Sequence, residues 1–361
     1  MNPTAKLHDL GQSLWLDNIT RALLASGTLR RYIDEWSVTG LTSNPTIFDL
    51  AIKNSSDYDA ALVAGMASGR SGQDLFFDVA IEDLRRAANL FLPIHQRTAG
   101  VDGWVSLEVS PLLARDAAGT IAMARTLHTR AALPNLLIKI PGTREGLPAI
   151  EEAIFAGIPV NVTLLFSSEQ YAAAADAWLR GIERRIAAGL NPDIGSVASL
   201  FVSRWDVAVA GKVPAELNNR LGLAVGLRAY QRYLELLASP RWQRALNEGA
   251  RPQRLLFAST GTKDPKARDV LYVEGLAAPL TVNTIPEQTL KAYAEHGTLA
   301  SPLPVGGGSS AAVLAEFARA GVDVDALATR LQEEGATSFV NSWNNLLTVI
   351  ESKRDLMKKA I

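Results

Sequence analysis

Asn135-Leu136-Leu137-Ile138-Lys139-Ile140-Pro141-Gly142-Thr143 sets one lysine inside an apolar, β-branched run. A run apolar on both faces reads as a strand of a parallel sheet that is covered on both sides. An ammonium taken out of water is costly, so a buried lysine finds a carboxylate or gives up its proton. The neutral amine is a nucleophile, and its usual chemistry is a Schiff base with a carbonyl substrate. A lysine that ends a strand and reaches back to water would look the same in isolation. The neighbouring runs decide.

Working outward from that strand, seven more apolar runs are bounded by turn residues. The predicted strands are 13–17, 38–43, 104–110, 135–141, 159–166, 195–203, 254–260 and 279–285. Helical spacing is predicted over 18–36, 58–65, 74–91, 116–133, 146–156, 168–188 and 215–247, then 311–320, 323–334 and 338–359. No short hairpin joins consecutive strands, so the sheet is parallel, and eight strand–helix units predict a closed (β/α)8 TIM barrel. An open doubly wound sheet is the alternative. It lacks its signature, because Val305-Gly306-Gly307-Gly308 follows a loop rather than a strand. The expectation is one barrel domain over 1–361 with additional N- and C-terminal helices, about 287–361 forming a loop and helical extension packed on the barrel.

Composition narrows the functions. The chain has 361 residues, 48% hydrophobic and 20% charged, ordinary for an enzyme with a sizeable core. A formal net charge of -1 without a basic block gives no electrostatic basis for nucleic-acid or anionic-membrane partners. The absence of cysteine excludes disulfides, thiolate nucleophiles and cysteine-ligated metals. His8, His95, His128 and His296 fall in predicted helices or loops without ligand spacing, so no metal site is expected. Trp178, Trp205, Trp242 and Trp343 lie on helical stretches, where packing is their common use. Met1 to Asp9 lacks a signal-peptide layout and no uncharged stretch is long enough to span a bilayer, so a cytoplasmic protein, monomer or homodimer, is expected.

Active sites of such barrels sit at the C-terminal ends of the strands. Taken to their ends, the runs present Asp17, Asn44, Glu108, Lys139, Asn161 with Thr163, Ser199, Ser259 and Asn283. Each has an ordinary explanation as a cap or turn residue. Their arrival at the same end of successive strands points to a ligand site. Glu108, between Leu107 and Val109, needs a partner or a raised pKa.

On these residues the chain resembles the transaldolases, from about Ser13 to Pro286. The segments that carry the resemblance are Leu16-Asp17-Asn18, Thr42-Ser43-Asn44-Pro45-Thr46, Leu107-Glu108-Val109, Ile138-Lys139-Ile140-Pro141, Asn161-Val162-Thr163-Leu164-Leu165-Phe166 and Ser199-Leu200-Phe201-Val202-Ser203-Arg204. The resemblance implies a barrel enzyme with no cofactor or metal, acting on sugar phosphates in the pentose phosphate pathway. It would move a dihydroxyacetone unit from sedoheptulose 7-phosphate to glyceraldehyde 3-phosphate, giving erythrose 4-phosphate and fructose 6-phosphate. Lys139 would form the Schiff base. Glu108, through a water held by Thr163, would shuttle protons, and Asp17 would take the proton that releases the C3–C4 bond. Asn44 and Asn161 would hold hydroxyls of the three-carbon unit, with Ser199 beside them and Phe201 as an apolar wall. For the phosphate, the resemblance implies Arg204 and Ser259. The family's second arginine is replaced here by Gly261, which leaves Lys263 as the substitute.

Three other functions fit less well, the first a different lysine-dependent barrel aldolase, against which the Asn161/Thr163 pair and Asp17 speak. A fructose 6-phosphate aldolase, the family's smaller lyase, lacks the glutamate at Glu108 and carries tyrosine where Phe201 stands. A non-catalytic phosphosugar-binding barrel would have no use for Lys139, Glu108 and Asp17 together.

Overall fold

The computed structural model describes residues 2–299 and 301–358. Eight parallel strands close into a barrel in sequence order: β1 Ser13–Asp17, β2 Val38–Thr42, β3 Val105–Glu108, β4 Leu136–Pro141, β5 Val160–Leu165, β6 Ser196–Phe201, β7 Gln253–Ala258 and β8 Val282–Ile285. All eight predicted runs contain the observed strands to within a residue or so. A buried parallel strand is apolar on both faces, and its signal is a continuous run that local sequence shows directly.

The helices match in place more than in extent. Predicted 18–36 is two helices, Arg21–Ala25 and Thr28–Trp36, separated at Gly27, which has φ +75°. Predicted 215–247 breaks before Pro240, whose missing N–H suits a first-turn position, giving Leu221–Ala238 and Pro240–Asn247. Predicted 323–334 and 338–359 are one helix, Val324–Lys358, and residue 359 lies outside the described residues. No proline interrupts this helix, and Gly335 sits inside it.

That long helix answers what the C-terminal extension does. It packs along the helix Pro45–Asn54 that follows β2, and Thr46 and Ser342 hydroxyls meet at 2.7 Å. Gln332 donates through Nε2 to the Leu164 carbonyl at 2.8 Å and the Gly142 carbonyl at 3.1 Å, just past β4 and near the end of β5. The helix therefore crosses the C-terminal mouth of the barrel. Trp343 is buried against Phe76 and Phe77 of the helix Gly72–Arg97. Trp178, Trp205 and Trp242 are likewise buried, in keeping with the packing role expected of them.

The opposite end of the barrel is plugged. Trp15 Nε1 donates to Asp102 Oδ1 at 2.7 Å, Ser13 bonds the other oxygen of the same carboxylate, and Arg254 Nη2 donates to Ser13 Oγ at 2.8 Å. A substrate therefore has one way in. Among the described residues, no helix is long and apolar enough to cross a membrane.

Candidate active site

Strand register places the chemistry. Glu108 of β3 pairs across from Lys139 of β4, which pairs across from Asn161 of β5. Side chains in one such row project to the same face, so three polar residues from three strands form a continuous band inside the barrel. Lys139 Nζ lies 3.1 Å from Glu108 Oε2 and donates to the Ser43 carbonyl at 3.0 Å. Both side chains are about 95% buried, with residue exposures of 5% each. Burial pushes the Glu108 carboxyl above its ordinary range, Lys139 pulls it back, and the Asp17 charge pushes it up again.

Asp17 ends β1 in register with Thr42 of β2, whose hydroxyl donates to Asp17 Oδ1 at 2.8 Å and meets Thr284 Oγ1 at 2.6 Å. Burial is again the largest influence and raises the Asp17 pKa, against the lowering effects of Lys139, the Thr42 hydrogen bond and Lys263. Two carboxylates with raised pKa values therefore flank one amine. A carboxyl raised by burial holds its proton more firmly and is suited to proton transfer.

A cavity of about 300 Å³ opens above this band. Of the residues expected at the site, Asp17, Asn44, Lys139, Thr163, Ser199, Phe201, Arg204, Ser259 and Lys263 line it. Glu108 and Asn161 do not. Glu108 lies against the Lys139 amine and is not among the lining residues. Asn161 is fully buried, donating to Ser106 Oγ at 3.1 Å and accepting from Ser199 Oγ at 2.7 Å. Its partner Ser199 is the residue of this pair that lines the cavity. Asn44 does two things. Its side-chain oxygen caps the helix Pro45–Asn54 by accepting from Ile47 N at 3.1 Å, while the residue itself faces the cavity.

Thr163 Oγ1 is buried with no protein partner among the described residues, and neither Glu108 oxygen has a well-aligned donor. Ser259 has φ +56°, left-handed for a non-glycine residue, and its hydroxyl meets Ser203 Oγ at 2.9 Å. Strain of this kind collects where a loop is fixed for function. Arg204, just past β6, places its guanidinium 5.2 Å from the Phe201 ring centre. Lys263 is exposed at the rim. A side chain built at Gly261 would start 3.8 Å from Lys263 Nζ. The lysine head therefore lies beside the place where a side chain at 261 would begin.

Four polar or aromatic lining residues escaped the sequence. Asn283, the expected polar end of β8, is fully buried and accepts from Thr260 Oγ1 at 2.9 Å; Thr284 next to it faces the cavity. Strand parity could have shown this, since neighbours on a strand face opposite ways. Thr42 shares the face of Asp17 and was legible the same way. Thr46 lies one residue beyond the Asn-Pro pair. Phe339 was not legible. It comes from the helix Val324–Lys358, is 4% exposed, and its ring centre lies 5.9 Å from Lys139 Nζ.

A family model described as Transaldolase/Fructose-6-phosphate aldolase matches residues 14–350, which include every residue of this site. The chain belongs to that family. Named relatives are similar along almost their whole length. The transaldolase of Thiobacillus denitrificans is 44% identical over 358 residues, 97% of this chain and 100% of that one. The transaldolase of Thermobifida fusca is 45% identical over 355 residues, 96% of each chain, and that of Arthrobacter sp. is 42% identical over 367 residues, 99% of each. Enzymes of this family work through a lysine Schiff base, and this member is an enzyme of the transferase class.

Proposed function

We propose that the chain is a transaldolase that moves a dihydroxyacetone unit from a ketose phosphate, sedoheptulose 7-phosphate, to glyceraldehyde 3-phosphate. The products are erythrose 4-phosphate and fructose 6-phosphate. The observation that carries the reading is Lys139 at the floor of the cavity with Glu108 against its amine and Asp17 across from it.

The residues divide the chemistry as follows. Proton transfer across the 3.1 Å contact between Lys139 and Glu108 leaves a neutral amine, which attacks the donor carbonyl. Glu108 then returns the proton as the carbinolamine loses water, with the free hydroxyl of Thr163 on the same wall to orient that water. Asp17 accepts the proton of the C4 hydroxyl as the C3–C4 bond breaks, and the protonated imine takes the electron pair as an enamine. The first aldose leaves, the second enters, and the same steps run in reverse. Asn44 and Ser199 hold hydroxyls of the three-carbon unit. Arg204, Ser259 and Lys263 hold the phosphate at the rim. Phe201 and Phe339 keep bulk water from the enamine, which a lyase would surrender to a proton.

Glu108 and Phe201 favour transfer over the lyase activity that the family also contains. The test is borohydride reduction with fructose 6-phosphate, followed by intact and peptide mass spectrometry. A reduced dihydroxyacetone unit on the peptide that contains Lys139 is the expected result. A folded protein with no adduct on any lysine overturns the mechanism.

A further inference from the structure

We infer that Gly335 is a positioning residue for Arg204 and thereby sets the preference for phosphorylated over unphosphorylated ketoses. The inference rests on the reading of Arg204 as a phosphate ligand and adds a residue that makes that reading work. Gly335 lies inside the helix Val324–Lys358 and is buried. Glycine is the least favourable helix-interior residue apart from proline, and alanine would suit the helix better. Gly335 is not among the glycines with positive φ, so the backbone does not require it. Space does. A Cβ built there would sit 3.0 Å from Leu164 Cδ2, 3.1 Å from Arg204 Nη1 and 3.6 Å from Phe166 Cε2.

The helix has no room to retreat. One turn before Gly335, Gln332 bonds the carbonyls of Gly142 and Leu164; one turn after it, Phe339 packs over Lys139. The guanidinium is therefore held between the Phe201 ring at 5.2 Å and the bare backbone of Gly335. Among the described residues it makes no hydrogen bond or ion pair, and Glu334 is the carboxylate whose charge reaches it. An arginine fixed by packing alone keeps all its donors for an incoming anion, and its planar fork suits a phosphate. A methyl group at 335 takes part of that slot, and the side chain with freedom to move is Arg204.

The experiment compares Gly335→Ala and Arg204→Ala with the unaltered protein by borohydride trapping at Lys139. Trapping is measured against concentration with fructose 6-phosphate and, separately, with unphosphorylated fructose. For Gly335→Ala, the trapping rate per unit concentration should fall about tenfold with fructose 6-phosphate, the scale of one weakened charge-assisted hydrogen bond. With fructose it should stay within about twofold. The melting temperature should hold or rise, because alanine favours the helix. Equal losses with both donors would mean general distortion and would overturn the inference. If Arg204→Ala weakens only the phosphorylated donor while Gly335→Ala leaves it unchanged, Arg204 keeps its role and Gly335 loses its own. If Arg204→Ala changes neither donor, the reading of Arg204 fails first, and the inference with it.

Discussion

Lys139 Nζ and Glu108 Oε2 are 3.1 Å apart because the two residues are register partners on adjacent strands. The contact is thus built by sheet geometry rather than by flexible reach, and it survives conservative change. Glu108→Gln keeps an oxygen acceptor for the amine and removes the proton shuttle. It should lower kcat by about a hundredfold or more, the usual scale of general acid–base catalysis. Quenched-flow trapping should show the loss in the rate of adduct formation, with the final adduct still on Lys139. A rate within fivefold of the unaltered enzyme would remove Glu108 from the mechanism.

Asp17→Asn separates stability from activity. Burial raises the folded-state pKa of Asp17 above the ordinary 3.8. The group's favourable contribution is therefore complete below about pH 3.8 and is lost as pH rises through the folded value. Above that range the cost of ionising a buried carboxyl weakens the fold, and a neutral isostere does not carry it. The variant, which keeps an acceptor for Thr42, should melt on the order of a few degrees higher at pH 7. The gap should close toward pH 4. Turnover should fall by about a hundredfold or more, since the base is gone. A variant that melts lower at pH 7 would contradict the sign.

Lys263→Ala tests the rim. If the lysine binds phosphate in ground and transition states alike, the donor KM rises and kcat holds. A point charge at an exposed position is worth little, so the expected rise is about three- to tenfold and shrinks with added salt. An unchanged KM for phosphorylated donors at low ionic strength would take Lys263 out of the site. Gly261→Arg, in the same assay, should recover the loss in the Lys263→Ala background.

Local sequence carried most of this architecture because its signals are local. Each buried strand is a continuous apolar run, and Lys139 and Glu108 are conspicuous as charges within such runs. The failures share a different cause. Asn283 and Thr284 are adjacent polar residues, and only the strand's parity decides which one meets the cavity. Asn161 is held by Ser106 and Ser199 from two other strands, partners that its own run does not name. Phe339, Gln332 and Gly335 sit about 200 residues from the lysine they enclose, on a helix whose periodicity reports burial but not its partner. Long-range docking leaves no mark on a helix beyond an apolar stripe.

Asp83 offers a second, independent pH experiment away from the cavity. It is fully buried, its Oδ1 accepts from Arg21 Nε at 3.0 Å, and its Oδ2 has no partner among the described residues. Burial outweighs Arg21 and pushes its pKa up to about 6 from an ordinary 3.8. Its stabilising contribution is therefore present below about pH 3.8 and is lost as pH rises through about 6. The stability difference between the unaltered protein and Asp83→Asn should move in favour of Asn across that window and level off above it. A carboxyl titration followed by NMR should find the midpoint near 6. A midpoint at the ordinary value would show that Arg21 prevails over burial.

Gly40→Ala addresses the closed end of the barrel. The β1–β2 register slips by one residue between Leu14–Trp15 and Val38–Gly40, a bulge that brings Gly40 against its neighbours. A Cβ there would lie 2.7 Å from the Trp104 carbonyl oxygen and 2.8 Å from Trp15 Cε2 and Nε1. Neither can yield cheaply. The carbonyl accepts from Leu41 N at 3.0 Å between β2 and the start of β3, and the indole N–H is committed to Asp102. Overpacking and a strained buried hydrogen bond together should cost about 3–5 kcal/mol. Guanidinium unfolding should show this as a lower midpoint at unchanged slope. Turnover at low temperature should stay within about twofold, because the plug and the cavity lie at opposite ends of the strands. A loss below about 1 kcal/mol would mean that Trp15 has a second resting place and that the plug is looser than its hydrogen bonds imply.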